Sequence, residues 1–142
     1  MENIKKLIDA VEKLVPEYLS QPEDAAISAG GSAICIIDKD QNVTGKLFGT
    51  DKIRARQCYK IAWIKASQVW ITGYKTGEFE KLAYSGQIDE SKYGIIRPDY
   101  LGWEGGQPIS LKDGTEFSIG FSGFRGTSDL EIVLRAIRNA DL

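Results

Sequence analysis

The residues best suited to chemistry lie at glycine-rich junctions and along one apolar helix-like stretch. Gly120-Phe121-Ser122-Gly123-Phe124-Arg125-Gly126-Thr127-Ser128-Asp129 leads from a strand pattern into a helix pattern. Such a junction offers free backbone N–H groups and a favourable dipole, and Arg125 adds a planar fork for a carboxylate or phosphate. The same glycines also suit a tight turn with Arg125 solvated at the surface. Lys65 sits among Ala, Ile, Val and Trp. Its ammonium either snorkels to water over a buried stem or points into a ligand cleft, paired with Asp51 or Asp38. Ser122 with Lys65 is formally a Ser-Lys arrangement, because a desolvated lysine can lose its proton near neutral pH. Ser122 is not a nucleophile elbow, since the spacing is not G-x-S-x-G and the chain has no histidine base.

A second glycine-rich segment, Trp103-Glu104-Gly105-Gly106-Gln107-Pro108-Ile109, runs into a strand pattern. The paired glycines would let a flat ligand approach the backbone with Trp103 as one wall, or they only shape the loop. Asp51-Lys52-Ile53-Arg54-Ala55-Arg56 opens a helix pattern in which Asp51 suits the N-cap, while the basic residues oppose the dipole. Basic groups so placed suggest an outside partner, either an acidic ligand or a neighbouring subunit's carboxylate. The candidate ligand-binding set is therefore Asp51, Arg54, Lys65, Gly105, Gly106, Ser122 and Arg125.

The absence of histidine removes Ser-His-Asp and Cys-His nucleophilic systems, His-ligated zinc and proximal-His haem. No recognisable ligand spacing supports a metal. Eighteen Lys plus Arg against twenty Asp plus Glu give a slightly acidic chain without the dense basic surface that a nucleic acid requires. The first residues meet Lys5, Lys6, Asp9 and Glu12 too soon for a signal peptide or membrane span, so a cytoplasmic location is expected. Cys35 and Cys58 are too few for a disulfide framework and sit in apolar patterns, as buried free thiols do.

These groups must be positioned by a small set of elements within one expected domain, residues 1–142. Ile4, Leu7, Ile8, Val11, Leu14, Val15 and Tyr18 recur at helical spacing from Asn3 to Leu19, with Pro16 expected to end or kink the helix. Ser32 to Ile37 reads as a central strand, continuously apolar, joined by the turn chemistry of Asp38 to Asn42 to a second strand, Val43 to Phe48. A second helix, largely buried, is expected between Ile53 and Ile71. From Thr72 to Gln107 the pattern weakens, with a short helix around Glu78 to Ala83. Pro108 to Lys112 and Glu116 to Phe121 form a hairpin across Asp113-Gly114, with positive φ expected from a primed turn. A last helix follows, with Ser128 and Glu131 spaced as a capping box and Leu130, Val133, Leu134 and Ile137 as its stripe. The order α-β-β-α-(loop)-β-β-α is an α+β layer architecture.

Several of these segments resemble, in order, those of the GlcG/HbpS-like (haem-degrading-domain) family. Ile34 to Asp38 with Asn42 to Asp51 resembles its strand-Asp-hairpin-Asp pattern, and Ala62-Trp63-Ile64-Lys65-Ala66 its A-x-x-K-A helix. Gly105-Gly106-Gln107-Pro108-Ile109 is similar to its G-G-x-P-I segment, and Gly120-Phe121-Ser122-Gly123 with Asp129-Leu130-Glu131 to its closing strand and helix. The matches extend from about Ile27 to Arg138. The resemblance implies a profilin-like antiparallel sheet flanked by helices, assembly into homo-oligomers, and a ligand cleft near the glycine-rich segments. It also brings haem into view as a ligand, although any iron donor here would be Cys, Tyr, Met or Lys, with Cys58 the nearest to plausible. The aromatic-rich stretch from Thr72 to Tyr100 departs from the family pattern and is expected to serve a ligand or partner of its own.

The functional expectation is an oligomeric accessory protein binding a small, anionic or planar ligand. Two alternatives stand beside it. One is a cofactor-independent isomerase or lyase using Lys65 or Asp51 for proton transfer, which requires a perturbed Lys or Asp in a closed pocket. The other is a structural self-assembly module, which would leave no cleft.

Overall fold

A computed structural model describes residues 2–95 and 102–142. The elements are α1 (Glu2–Leu19), α2 (Pro22–Ser28), β1 (Gly31–Asp38), β2 (Val43–Gly49), α3 (Lys52–Thr72), α4 (Thr76–Tyr84), a 3₁₀ turn at Glu90–Tyr93, β3 (Gly106–Ser110), β4 (Glu116–Ser122) and α5 (Gly126–Asn139). The four strands form one antiparallel sheet in the order β2-β1-β4-β3. This is the expected α+β order, with α4 where a short helix was expected around Glu78 to Ala83 and with α2 added.

Both faces of the sheet are covered. On one, α1 and α5 bury Leu7, Val11, Ile132 and Val133 against Ile34, Ile36, Ile119 and Phe121. On the other, Cys58, Ala62 and Ala66 of α3 meet Ala33, Cys35 and Ile37 of β1. Burial on both faces is why β1 reads as an unbroken apolar run. Strand register explains how close α3 comes: Gly45, Cys35, Gly120 and Gly106 are cross-strand neighbours in one row over all four strands. A Cβ on Gly120 would stand 2.2 Å from the Ala62 carbonyl oxygen, and one on Gly106 3.0 Å from that of Lys65. The small row is a trough for the helix.

Several local expectations are corrected. Helix α1 continues past Pro16 to Leu19, because a proline this near the end forfeits little hydrogen bonding and Tyr18 anchors the final turn. Its hydroxyl donates to Glu131 and its ring stacks on Phe124 at 5.5 Å. The Asp113-Gly114 turn is not primed: the Gly114 N–H donates to the Leu111 carbonyl, and only Gly114 has positive φ, as in a type I turn with a bulge. The capping box is absent, since α5 starts at Gly126 and Ser128 donates instead to Asp24. The buried stripe of α5 is Ile132, Val133 and Ala136, while Leu134 is exposed. Helix α3 is buried on one face only, and Ile53, Trp63, Trp70 and Ile71 face outward. In the irregular segment Phe79 is fully buried and meets Tyr93 edge-on at 5.6 Å. Tyr100 lies outside the described residues.

Candidate functional site

The site is built around Lys65. Helix α3 crosses the glycine row at Gly120, directing the lysine between β4 and the start of α5, where it is 2% exposed. Its ammonium donates to the Phe121 carbonyl at 2.9 Å and to Oδ2 of Asp129 at 3.2 Å. The other Asp129 oxygen accepts the Phe124 N–H at 2.9 Å. Gly105 closes the arrangement with φ +125°, and a Cβ there would fall 2.6 Å from the lysine nitrogen and 2.5 Å from the Phe121 carbonyl oxygen. Only glycine satisfies both the backbone angle and the space.

Burial dominates the electrostatics of this pair. It pushes the Lys65 ammonium below the ordinary lysine range, against the attraction of Asp129, and raises the Asp129 carboxyl to about 7, against the attraction of Lys65. Each charge is costly in a dry setting, so burial works against the ion pair that the two side chains form.

Both residues line a cleft of about 540 Å³. Its apolar walls are Ile27, Ile61, Trp103 and Phe124, and its polar groups include Arg54, Glu104 and Ser122. The glycine-rich junction contributes Gly123 and Gly126, the latter opening α5.

Of the residues singled out from sequence, Arg54, Lys65 and Ser122 come together here. Arg54 also donates to the Ile27 carbonyl at 2.9 Å and the Ser28 carbonyl at 3.1 Å, so its partner at the dipole-disfavoured position is the C-terminal end of α2. Asp51 is an exposed N-cap accepting the Arg54 N–H at 3.0 Å, and it does not line the cleft. Gly105 and Gly106 leave room for Lys65 and α3, and neither lines this cleft. Arg125 turns away: its Nε donates to Asp24 at 3.1 Å and its Nη1 to Glu23 at 2.9 Å. Burial would raise the Asp24 carboxyl, but the Arg125 side chain and N–H together with the Ser128 hydroxyl outweigh it and hold it below the usual range. The lysine's partner is Asp129, not Asp51 or Asp38, and its ammonium does not snorkel.

Sequence reasoning treated Asp129 only as part of a helix-start pattern and did not single out Asp24. The available signal was an Asp in the first turn of an otherwise apolar helix, opposite a Lys in an otherwise apolar helix. Cys35 and Cys58 are buried free thiols, as expected. Among the described residues, no three His, Cys, Asp or Glu side chains gather as metal ligands, and no helix is long and apolar enough to cross a membrane.

No family model matches the chain, and no curated protein matches it. Solved structures do. Klebsiella pneumoniae protein ORFY, of the DUF336 family model, is 17% identical, with 97% of this chain and 87% of that chain covered at a TM-score of 0.68. The PduOC:heme complex is 16% identical, covering 97% and 91% at 0.67. A double mutant of Streptomyces reticuli HbpS is 19% identical, covering 92% and 84% at 0.57. The chain is similar in fold to these DUF336 and HbpS structures, the fold that its ordered short segments imply.

Proposed function

We propose that this chain is a single-domain, homo-oligomeric, cytoplasmic accessory protein that binds a small planar ligand carrying an acidic group. The observation that carries the reading is the cleft itself: apolar walls, with Trp103 at the mouth, closing over a buried Lys65–Asp129 pair. Pockets of this size, mostly apolar with a few convergent polar groups, are the usual form of a small-molecule site. Arg54 at the rim and the N-terminus of α5 at Gly126 supply the positive end for an acidic group. Outward-facing Ile53, Trp63, Trp70 and Ile71 on α3 favour assembly through that helix. Reduced, buried Cys35 and Cys58 accord with a reducing compartment.

The PduOC structure is a heme complex, and haem is planar and anionic. Among the described residues, the side chains at and beside the cleft do not suit iron ligation. Burial pushes the Cys58 thiol up, and its Sγ–H donates to the Gly31 carbonyl. Burial likewise raises the Tyr59 hydroxyl to about 12, and Lys65 is held by Asp129. The proposed ligand is bound through its shape and its acidic group. Native mass spectrometry before and after denaturation tests the reading. A stoichiometric small molecule released from an oligomer supports it; an empty monomer that binds no planar carboxylate overturns it.

The perturbed Lys65–Asp129 pair favours a second reading, a cofactor-independent isomerase or lyase in which Lys65 moves a proton. The alternative with Asp51 in that role is set aside, because Asp51 lies outside the cleft. Solvent-deuterium incorporation next to a bound carbonyl, lost in Lys65→Met, distinguishes it from simple binding.

A further inference from the structure

We propose that Lys65 captures its ligand covalently, as an imine between Nζ and an aldehyde or ketone carbon of a planar carbonyl compound seated in the cleft. The proposal rests on the cleft being a ligand site. Lys65 is the one fully buried lysine among the described residues; the others are exposed or half-exposed. It lines the open cleft, and it is fixed from two sides by the Phe121 carbonyl and Asp129. Those two bonds occupy two of the three donors of an ammonium. Gly105 puts no side chain over the nitrogen, where a Cβ would stand at 2.6 Å.

The chemistry follows from the pair. An amine attacks only when neutral, and Asp129 Oδ2 at 3.2 Å is the base that takes the ammonium proton. Burial disfavours both charges, which lowers the cost of that transfer. The Nζ lone pair then forms the C–N bond while the carbonyl π pair moves to oxygen. A proton passes from nitrogen to that oxygen, giving a carbinolamine. The Asp129 carboxyl returns its proton to the hydroxyl, which leaves as water as the nitrogen lone pair forms C=N. The product iminium carries the charge the ammonium carried, beside the same carboxylate, so the buried pair is preserved. An isolated surface lysine has neither the resident base nor the dry setting.

The test is reductive trapping of the full chain with 4-carboxybenzaldehyde and sodium cyanoborohydride at pH 6.5, read by intact mass and peptide mapping. Terephthalate, which has no aldehyde, serves in parallel as a non-covalent probe of the cleft through Trp103 fluorescence, with Trp103→Phe as the control. At that pH an exposed lysine has only about one amine in ten thousand neutral. Apart from the reactive α-amino group, the expected result is an adduct on the Lys65 peptide formed at least about tenfold faster than on any other lysine. Terephthalate should slow it. Saturable quenching by terephthalate with no adduct at Lys65, or with adducts spread evenly over exposed lysines, would overturn the imine and leave the cleft reading standing. Absence of both quenching and adduct would remove both.

Discussion

Replacing Lys65 by Met tests the electrostatics of the site most directly. The side chains of Lys65 and Asp129 are 2% and 4% exposed, so solvent screens their interaction little. The substitution keeps most of the apolar stem but removes the ammonium, leaving the Asp129 carboxylate with the Phe124 N–H and the Phe121 carbonyl without a donor. Removing one partner of a buried pair costs about 3–5 kcal/mol, a large part of the stability of a domain this size. The cost depends on pH with a definite sign. In the variant the folded-state pKa of Asp129 lies still further above the unfolded value of about 3.9, so its contribution is fully present below about pH 4 and lost as pH rises through the folded pKa. Burial already raises the wild-type carboxyl to about 7, so both proteins lose this contribution together up to that pH, and the variant should fall further behind only above about pH 7, by up to about 1.4 kcal/mol per pH unit. Urea unfolding at pH 5, 7 and 8.5 measures this. The double variant Lys65→Met/Asp129→Asn should recover most of the loss and the pH dependence with it. A single variant equally destabilised at all three pH values, with no recovery in the double, would show that packing and not charge sets the effect.

Other expectations follow from the same contacts. Gly120→Ala puts a methyl 2.2 Å from the Ala62 carbonyl oxygen and must lift α3, costing at least the upper end of about 1–3 kcal/mol in urea unfolding; a neutral effect would disprove the trough. Arg125→Ala should destabilise the fold measurably at neutral pH, because it takes the guanidinium from the buried Asp24, and leave ligand affinity unchanged. Because Asp24 is held below its ordinary value, that contribution is present above about pH 4 and lost as pH falls through the folded pKa, so the difference from wild type should shrink in acid unfolding. Cys35 and Cys58, 0% and 1% exposed with thiols pushed up by burial, should react with a thiol reagent only as fast as the chain opens. Rapid modification of the native protein would contradict their placement.

The strands and long helices were legible because their signals are local. The period-3.6 stripe of α1, the unbroken apolar run of β1 and the Asp51 cap need no knowledge of distant residues. The α2 signal was equally local, Pro22 followed by Glu23 and Asp24, although it entered no expectation. The fate of Arg125 was not local. Its acidic partners precede it by about a hundred residues, and only the packing of α2 beside α5 joins them.

The amino-acid sequence by itself determined the layer order, the buried thiols, the exclusion of histidine chemistry and the lysine worth watching. Tertiary structure alone decided what that lysine does. Strand register stacks Gly120 and Gly106 in one row, the row lets α3 approach, and the approach brings Lys65 to Asp129 across 64 residues of chain. Periodicity reports which face of an element is dry. It does not report which charge on another element meets it there, because that depends on register and packing distance, which are properties of the assembled sheet.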